Sequence, residues 1–251
     1  MWLAELLTVD GVVVFLQYAG YLLLASLLAF LLLRRRVRRL LGVSMYLGLV
    51  LAIDGISRPV VLYSYGFRSH AYAYFFWLTD VLLALGAFLL ISFFFQRACA
   101  LRPQMWQYVR LILTFVLILV VGVSLLALSK HYNRLFTLFI VEFQQNLYFT
   151  CLVLNTLLYL LIQQLKSADE ELSLLVCGLG IQFAGPAANF ALVYLTRGQA
   201  YPSMIYQYLG PLCYIGMLLT WFYAVTRVPQ PRSVLSRETP AELAVATGRE
   251  A

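Results

Sequence analysis

Asp54 and Arg58 stand four residues apart inside one long apolar run, and Asp80 lies inside the next. Residues at i and i+4 share a helix face, so the first two can pair along their own helix. Arg58 can also reach across to Asp80. Charges in hydrocarbon cost several kcal/mol, so such groups turn to a bundle interior and find partners. Glu142, Gln145, Asn146 and Phe149 follow i, i+3, i+4, i+7, and Gln182, Pro186, Asn189 and Val193 follow i, i+4, i+7, i+11. Each set predicts one helix stripe. Gln17 and Gln207 add an amide from two further runs.

Counted inward from one set of helix ends, Gln17, Arg58, Asp80, Glu142, Gln145, Asn146, Asn189 and Gln207 lie four to eight positions deep, or about 6–12 Å at helical rise, with Asp54 one turn deeper than Arg58. They predict a polar pocket near one membrane face. Its ligand-binding residues would be Asp54, Arg58, Trp77, Asp80, Glu142, Gln145, Asn146, Asn189 and Gln207. Asp54, Asp80 and Glu142 face a single guanidinium, so a protonated carboxyl, a cation or water must complete the site. The expected ligand is a neutral or cationic small molecule. The competing reading is that the amides hold helices together, at about 0.6 kcal/mol per bond.

The elements that must position these groups are membrane helices. Hydrophobic residues form 63% of the 251 and charged ones 12%, where ordinary soluble domains carry about 25% charge. A bilayer core takes roughly 20 apolar residues per helix. Spans are expected near 11–33, 41–63, 74–96, 108–128, 135–164, 172–196 and 203–226. The expected fold class is therefore all-α, a seven-transmembrane-helix bundle over 1–226, with 227–251 as a largely disordered tail. The fourth span has only Thr114 and Ser124 as polar residues at depth, which predicts a lipid-facing helix.

The net charge of +7 is not a nucleic-acid signature, because of where it sits. Thirteen of the 18 Lys and Arg residues fall on one side, led by Arg34, Arg35, Arg36, Arg38 and Arg39 after the first span. Positive loops stay cytoplasmic, so the N-terminus is expected outside and the tail inside. The first span is too long for a signal-peptide core and is followed, not preceded, by its basic block; it reads as a retained anchor. Ser167-Ala168-Asp169-Glu170 predicts a capping box opening the sixth span. Pro186 and Pro211 should weaken their helices locally. Tyrosines such as Tyr63, Tyr65, Tyr72, Tyr74 and Tyr208 gather toward the outer side, either as an interfacial belt or as an aromatic mouth for a cation.

Several chemistries lack their residues. The only histidines, His70 and His131, fall in or beside outer loops, so paired haem ligands, a multi-histidine zinc site and a buried Ser–His dyad are missing. The seventh span has no lysine for a retinal Schiff base, and no glycine-rich phosphate motif occurs. No cofactor is expected. Cys99, Cys151, Cys177 and Cys213 fall within or beside spans and suggest no disulfide framework.

The stretch 70–96, with Tyr72, Tyr74, Trp77 and Asp80 at the start of the third span, resembles a family of small seven-span proteins of acidobacteria. The basic block after the first span and the short proline-containing tail look alike as well. That resemblance implies a seven-helix fold and no particular activity. A looser likeness is to the seven-helix sensory modules of bacterial histidine kinases. The function expected is a non-enzymatic sensor or receptor-like module of the bacterial inner membrane, signalling through a separate cytoplasmic partner. A small transporter or channel, or a structural partner of another membrane protein, are the alternatives.

Overall fold

The computed structural model describes residues 9–34, 39–66, 69–100, 103–128, 135–164, 169–195 and 204–227. Those residues are helical apart from short turns and the linking residues Gly66, Ser69 and Asp169, and seven helices are long and apolar enough to cross a membrane. They are α1 (Val9–Leu33), α2 (Leu41–Val50 continuing through Leu51–Ser57 and Arg58–Tyr65), α3 (His70–Ala98), α4 (Pro103–Leu128), α5 (Leu135–Gln164), α6 (Glu170–Leu195) and α7 (Met204–Arg227). The expected tail at 227–251 lies outside the described residues beyond Arg227.

Local chemistry sets several helix ends. Gly66 closes α2 at φ 75°, a left-handed conformation that costs glycine nothing. Three residues on, the Ser69 side chain accepts from the Ala71 amide at 3.2 Å and opens α3. Pro103 stands first in α4, where its missing N–H is harmless. Asp169 caps α6, accepting from the Leu172 amide at 3.2 Å. The expected Ser167 lies outside the described residues. The Asp169 carboxylate also suits the positive helix end.

The middle of α2 departs from α-geometry. Leu51–Ser57 form a π-helical turn, and the Arg58 amide donates five residues back to the Ile53 carbonyl. Pro59 explains the position. It has no N–H for the Gly55 carbonyl, and its ring would strike that carbonyl in a regular α-turn. Widening the preceding turn relieves the clash.

Six helices form a ring, in the spatial order α1, α2, α3, α5, α6, α7 and back to α1, with α4 outside against α3 and α5. Close approaches fix the registers. Between α6 and α7, a Cβ on Gly178 would lie 2.6 Å from Trp221, and one on Gly185 would lie 3.0 Å from Cys213. Between α2 and α3, a Cβ on Gly42 would meet Phe93 at 2.8 Å, and one on Gly86 would meet Leu49 at 2.7 Å. Both pairs are antiparallel. Gly20 beside Tyr214 and Phe30 beside Phe222 make α1 and α7 parallel. Small residues permit these approaches, which drive helix association where no hydrophobic effect operates. Tyr108, Leu111, Phe115 and Ile118 leave much of α4 exposed.

The ring has an apolar half. Leu24, Leu27, Leu47, Ile91, Cys151, Leu158, Leu175, Leu179, Leu218 and Trp221 are fully buried there. Trp221 donates its indole N–H to the Leu175 carbonyl at 2.8 Å. Two buried polar side chains interrupt this half, Ser44 and Asn155, the latter donating to the Val176 carbonyl at 3.1 Å.

Candidate functional site

Arg58 is the hub of the other half. Its Nη2 donates to Asp80 Oδ1 at 2.9 Å and to the Phe76 carbonyl at 3.3 Å. Nε donates to the Thr79 hydroxyl at 3.1 Å. Nη1 lies 2.7 Å from Asp54 Oδ1, a close ion pair without the directed geometry of a hydrogen bond. The guanidinium also sits 4.2 Å from the centre of the Phe76 ring, within cation–π range. Thr79 bonds back to the Phe75 and Phe76 carbonyls, as a hydroxyl inside a helix does. The second oxygen of Asp80 accepts from the Gln144 side-chain amide on α5. Arg58 therefore pairs with both carboxylates, one along α2 and one across to α3. The π-turn carries Asp54 and ends where Arg58 begins, so the distortion lies at the centre of this network.

Two cavities flank the network. A central one of about 310 Å³ is bounded by α1, α2, α3, α5, α6 and α7. Asp54, Asp80, Tyr46, Tyr148, Gln182 and Tyr214 form its polar and aromatic wall, and Pro186 and Pro211 also line it. A second cavity of about 480 Å³ lies toward the Arg58 end, between α1, α2 and α3. Gln17, Tyr21 and Asp54 line both, so the two adjoin at these residues. Val14, Tyr18 and Leu62, all well exposed, open the second cavity to the surface. Three oxygens of the central wall are buried without a hydrogen bond: Asp54 Oδ1, Gln182 Oε1 and the Tyr214 hydroxyl.

The sequence-derived candidates divide into three groups. Asp54, Arg58 and Asp80 are brought together, and Gln17 joins both cavities. Trp77 packs edge-on against Phe76 with ring centres 5.9 Å apart and lines neither cavity. Gln145 and Asn146 also line neither, because α5 turns Phe143, Leu147 and Cys151 inward and leaves Phe149 exposed. The side chains of Glu142, Asn189 and Gln207 lie outside the described residues.

Sequence reasoning passed over Gln144, Phe76 and Thr79. It also passed over the tyrosines at 21, 46, 148 and 214, which sit deeper than the outer tyrosines taken for a belt. Tyr63, Tyr65 and Tyr74 are exposed at the α2–α3 end, while Tyr72 turns into the second cavity.

A second ionic cluster occupies the opposite end of the ring. Arg97 at the end of α3 makes two bonds to Asp169, at 3.0 and 3.1 Å, and one to Glu171 at 2.8 Å. Glu171 is 3% exposed and also meets Arg39 at 2.7 Å. It joins the starts of α2 and α6 to the end of α3. No protein-family model, curated protein or solved structure matches this chain.

Proposed function

We propose that this chain is a non-enzymatic, receptor-like module of a bacterial inner membrane. It binds a small ligand from the outer side and signals through a separate cytoplasmic partner. The observation that supports this reading best is one-sidedness. The cavities run from the exposed Val14 and Tyr18 down to Tyr148 and Tyr214. One turn further along the ring helices, the described interior is closed largely by apolar residues such as Leu24, Leu47, Ala87, Cys151, Leu179 and Leu218, with Ser44 and Asn155 as isolated buried polar side chains. A carrier or pore would continue polar toward the far face. The N-terminus-outside orientation rests on the positive charge bias. Kinship with the small seven-span proteins of acidobacteria belongs to the same proposal, carried by Tyr72, Tyr74, Trp77 and Asp80.

Pro186 and Pro211 both line the central cavity, on adjacent helices. Each removes a helix hydrogen bond at the wall, so α6 and α7 are the helices whose bend a ligand would bias. This same feature is what favours a transporter as the second reading.

Impermeant thiol labelling tests the choice. In a background without the four native cysteines, Gln17→Cys should label from outside intact cells, and Ser44→Cys, buried beyond the cavity, from neither side. Labelling of Gln17→Cys only from the cytoplasm overturns the orientation. Labelling of Ser44→Cys from the cytoplasm makes the protein a transporter. Reporter fusions after Arg39 and after Arg227 should both report cytoplasm.

A further inference from the structure

We propose that the central cavity is a site for a small organic ammonium ion that keeps at least one N–H. This rests on the outward-facing pocket and specifies its ligand. Charge comes first. Asp54 and Asp80 face one guanidinium, and no other Lys, Arg or His lines either cavity among the described residues. Both oxygens of Asp80 are engaged, by Arg58 and by Gln144. Asp54 lines the cavity with an oxygen that has an ion pair and no hydrogen bond. With both carboxylates ionised, the wall carries one net negative charge in a low-dielectric interior, where a cation is strongly favoured over an anion.

Hydrogen bonding comes second. Gln182 Oε1 and the Tyr214 hydroxyl have no hydrogen-bond partner and Asp54 Oδ1 has only the Arg58 ion pair, and buried polar atoms in folded proteins are nearly always paired. Acceptors call for a donor-bearing ligand, and N–H groups on a cation make the stronger bonds. Shape comes third. Tyr21, Tyr46, Tyr148 and Tyr214 supply aromatic surface from α1, α2, α5 and α7, and ring faces attract ammonium groups. The volume of about 310 Å³ is the room of roughly ten waters at about 30 Å³ each. A protonated amine of about that bulk fills it.

Calorimetric titration of the full chain in nanodiscs tests the assignment with three molecules of closely matched size: phenethylammonium, 2-phenylethanol and phenylacetate. The ammonium should bind on the order of tenfold or more tighter than the alcohol, as a charged hydrogen bond is stronger than a neutral one, and the carboxylate should not compete. Asp54→Asn should weaken the ammonium by about tenfold or more and leave the alcohol unchanged. Tyr214→Phe, which keeps the ring and removes one oxygen, should weaken it less, and it serves if Asp54→Asn does not fold. Equal binding of the alcohol, tighter binding of the carboxylate, or an unchanged affinity in both variants overturns the ammonium assignment. If none of the three binds while Gln17→Cys still labels from outside, the assignment fails and the pocket stands. If Gln17→Cys does not label, the pocket itself fails.

Discussion

Glu171 is buried 2.8 Å from Arg97, although 74 residues separate them in the chain. With Arg39 at 2.7 Å on its other side, this carboxylate joins three helix ends at the face opposite the cavity. Removing one partner of a buried pair leaves an uncompensated charge and costs about 3–5 kcal/mol. Glu171→Ala should therefore lower the melting temperature in detergent sharply. Glu170→Ala, at the neighbouring exposed position, should leave it nearly unchanged. Equal shifts would show that the cluster is only solvated surface charge.

The Arg58 network should be similarly intolerant. Arg58→Ala strands Asp54 and Asp80 together in the interior, an expected loss on the order of 3–5 kcal/mol. Its folded yield, read by size-exclusion chromatography, should fall well below that of Arg110→Ala on the exposed face of α4. Matching yields would contradict a structural role for the ion pairs.

Helix contacts give a third expectation. A Cβ on Gly178 would stand 2.6 Å from the fully buried Trp221, whereas one on Gly48 meets nothing within 4 Å. Gly178→Ala should destabilise by about 1–3 kcal/mol through overpacking. Gly48→Ala should be neutral or stabilising by up to about 1 kcal/mol, because alanine favours helix. Thermal unfolding of the two variants decides it, and a stable Gly178→Ala would mean that α6 and α7 do not meet at this register.

A fourth expectation concerns Asp80 and α5. Gln144→Leu removes the amide that holds the second Asp80 oxygen, while Gln145→Leu changes a residue that lines neither cavity. Gln144→Leu should cost about 1.5–3 kcal/mol, the scale of a hydrogen bond to a charged group, and Gln145→Leu much less. Comparable losses would restore the stripe first expected from the sequence.

That stripe shows where sequence reasoning stops. The seven spans were legible because hydropathy and length are local properties, and α5 begins and ends at the expected residues 135–164. The Asp54–Arg58–Asp80 group was legible because buried charge is rare and costly. Which face of α5 points inward was not legible. Lipid is as apolar as the core, so Phe143, Leu147 and Cys151 carry no mark that separates them from Phe149 or Val153 outside. The Arg97–Asp169–Glu171 cluster was hidden for another reason. Its members lie 72 and 74 residues apart, and each alone reads as an ordinary interfacial charge.

The widened turn at Leu51–Ser57 amounts to one surplus residue in an otherwise regular helix, and so it acts as a phase setting. One residue is about 100° of helix rotation. Deleting a single residue there would force the turn to α-geometry, restoring the Pro59 clash that the widening relieves, while the segment up to Val50 keeps its packing. Everything from Arg58 on lies beyond any such cut and would keep its bearing on Asp80, because the deletion removes only the surplus. Taking a residue before Asp54 keeps its four-residue spacing to Arg58, while taking one between Asp54 and Arg58 shortens that spacing to three and re-aims the carboxylate. The carboxylate on the cavity wall can thus be re-aimed while the Arg58–Asp80 pair stays, by a change in chain length that alters no side chain of either.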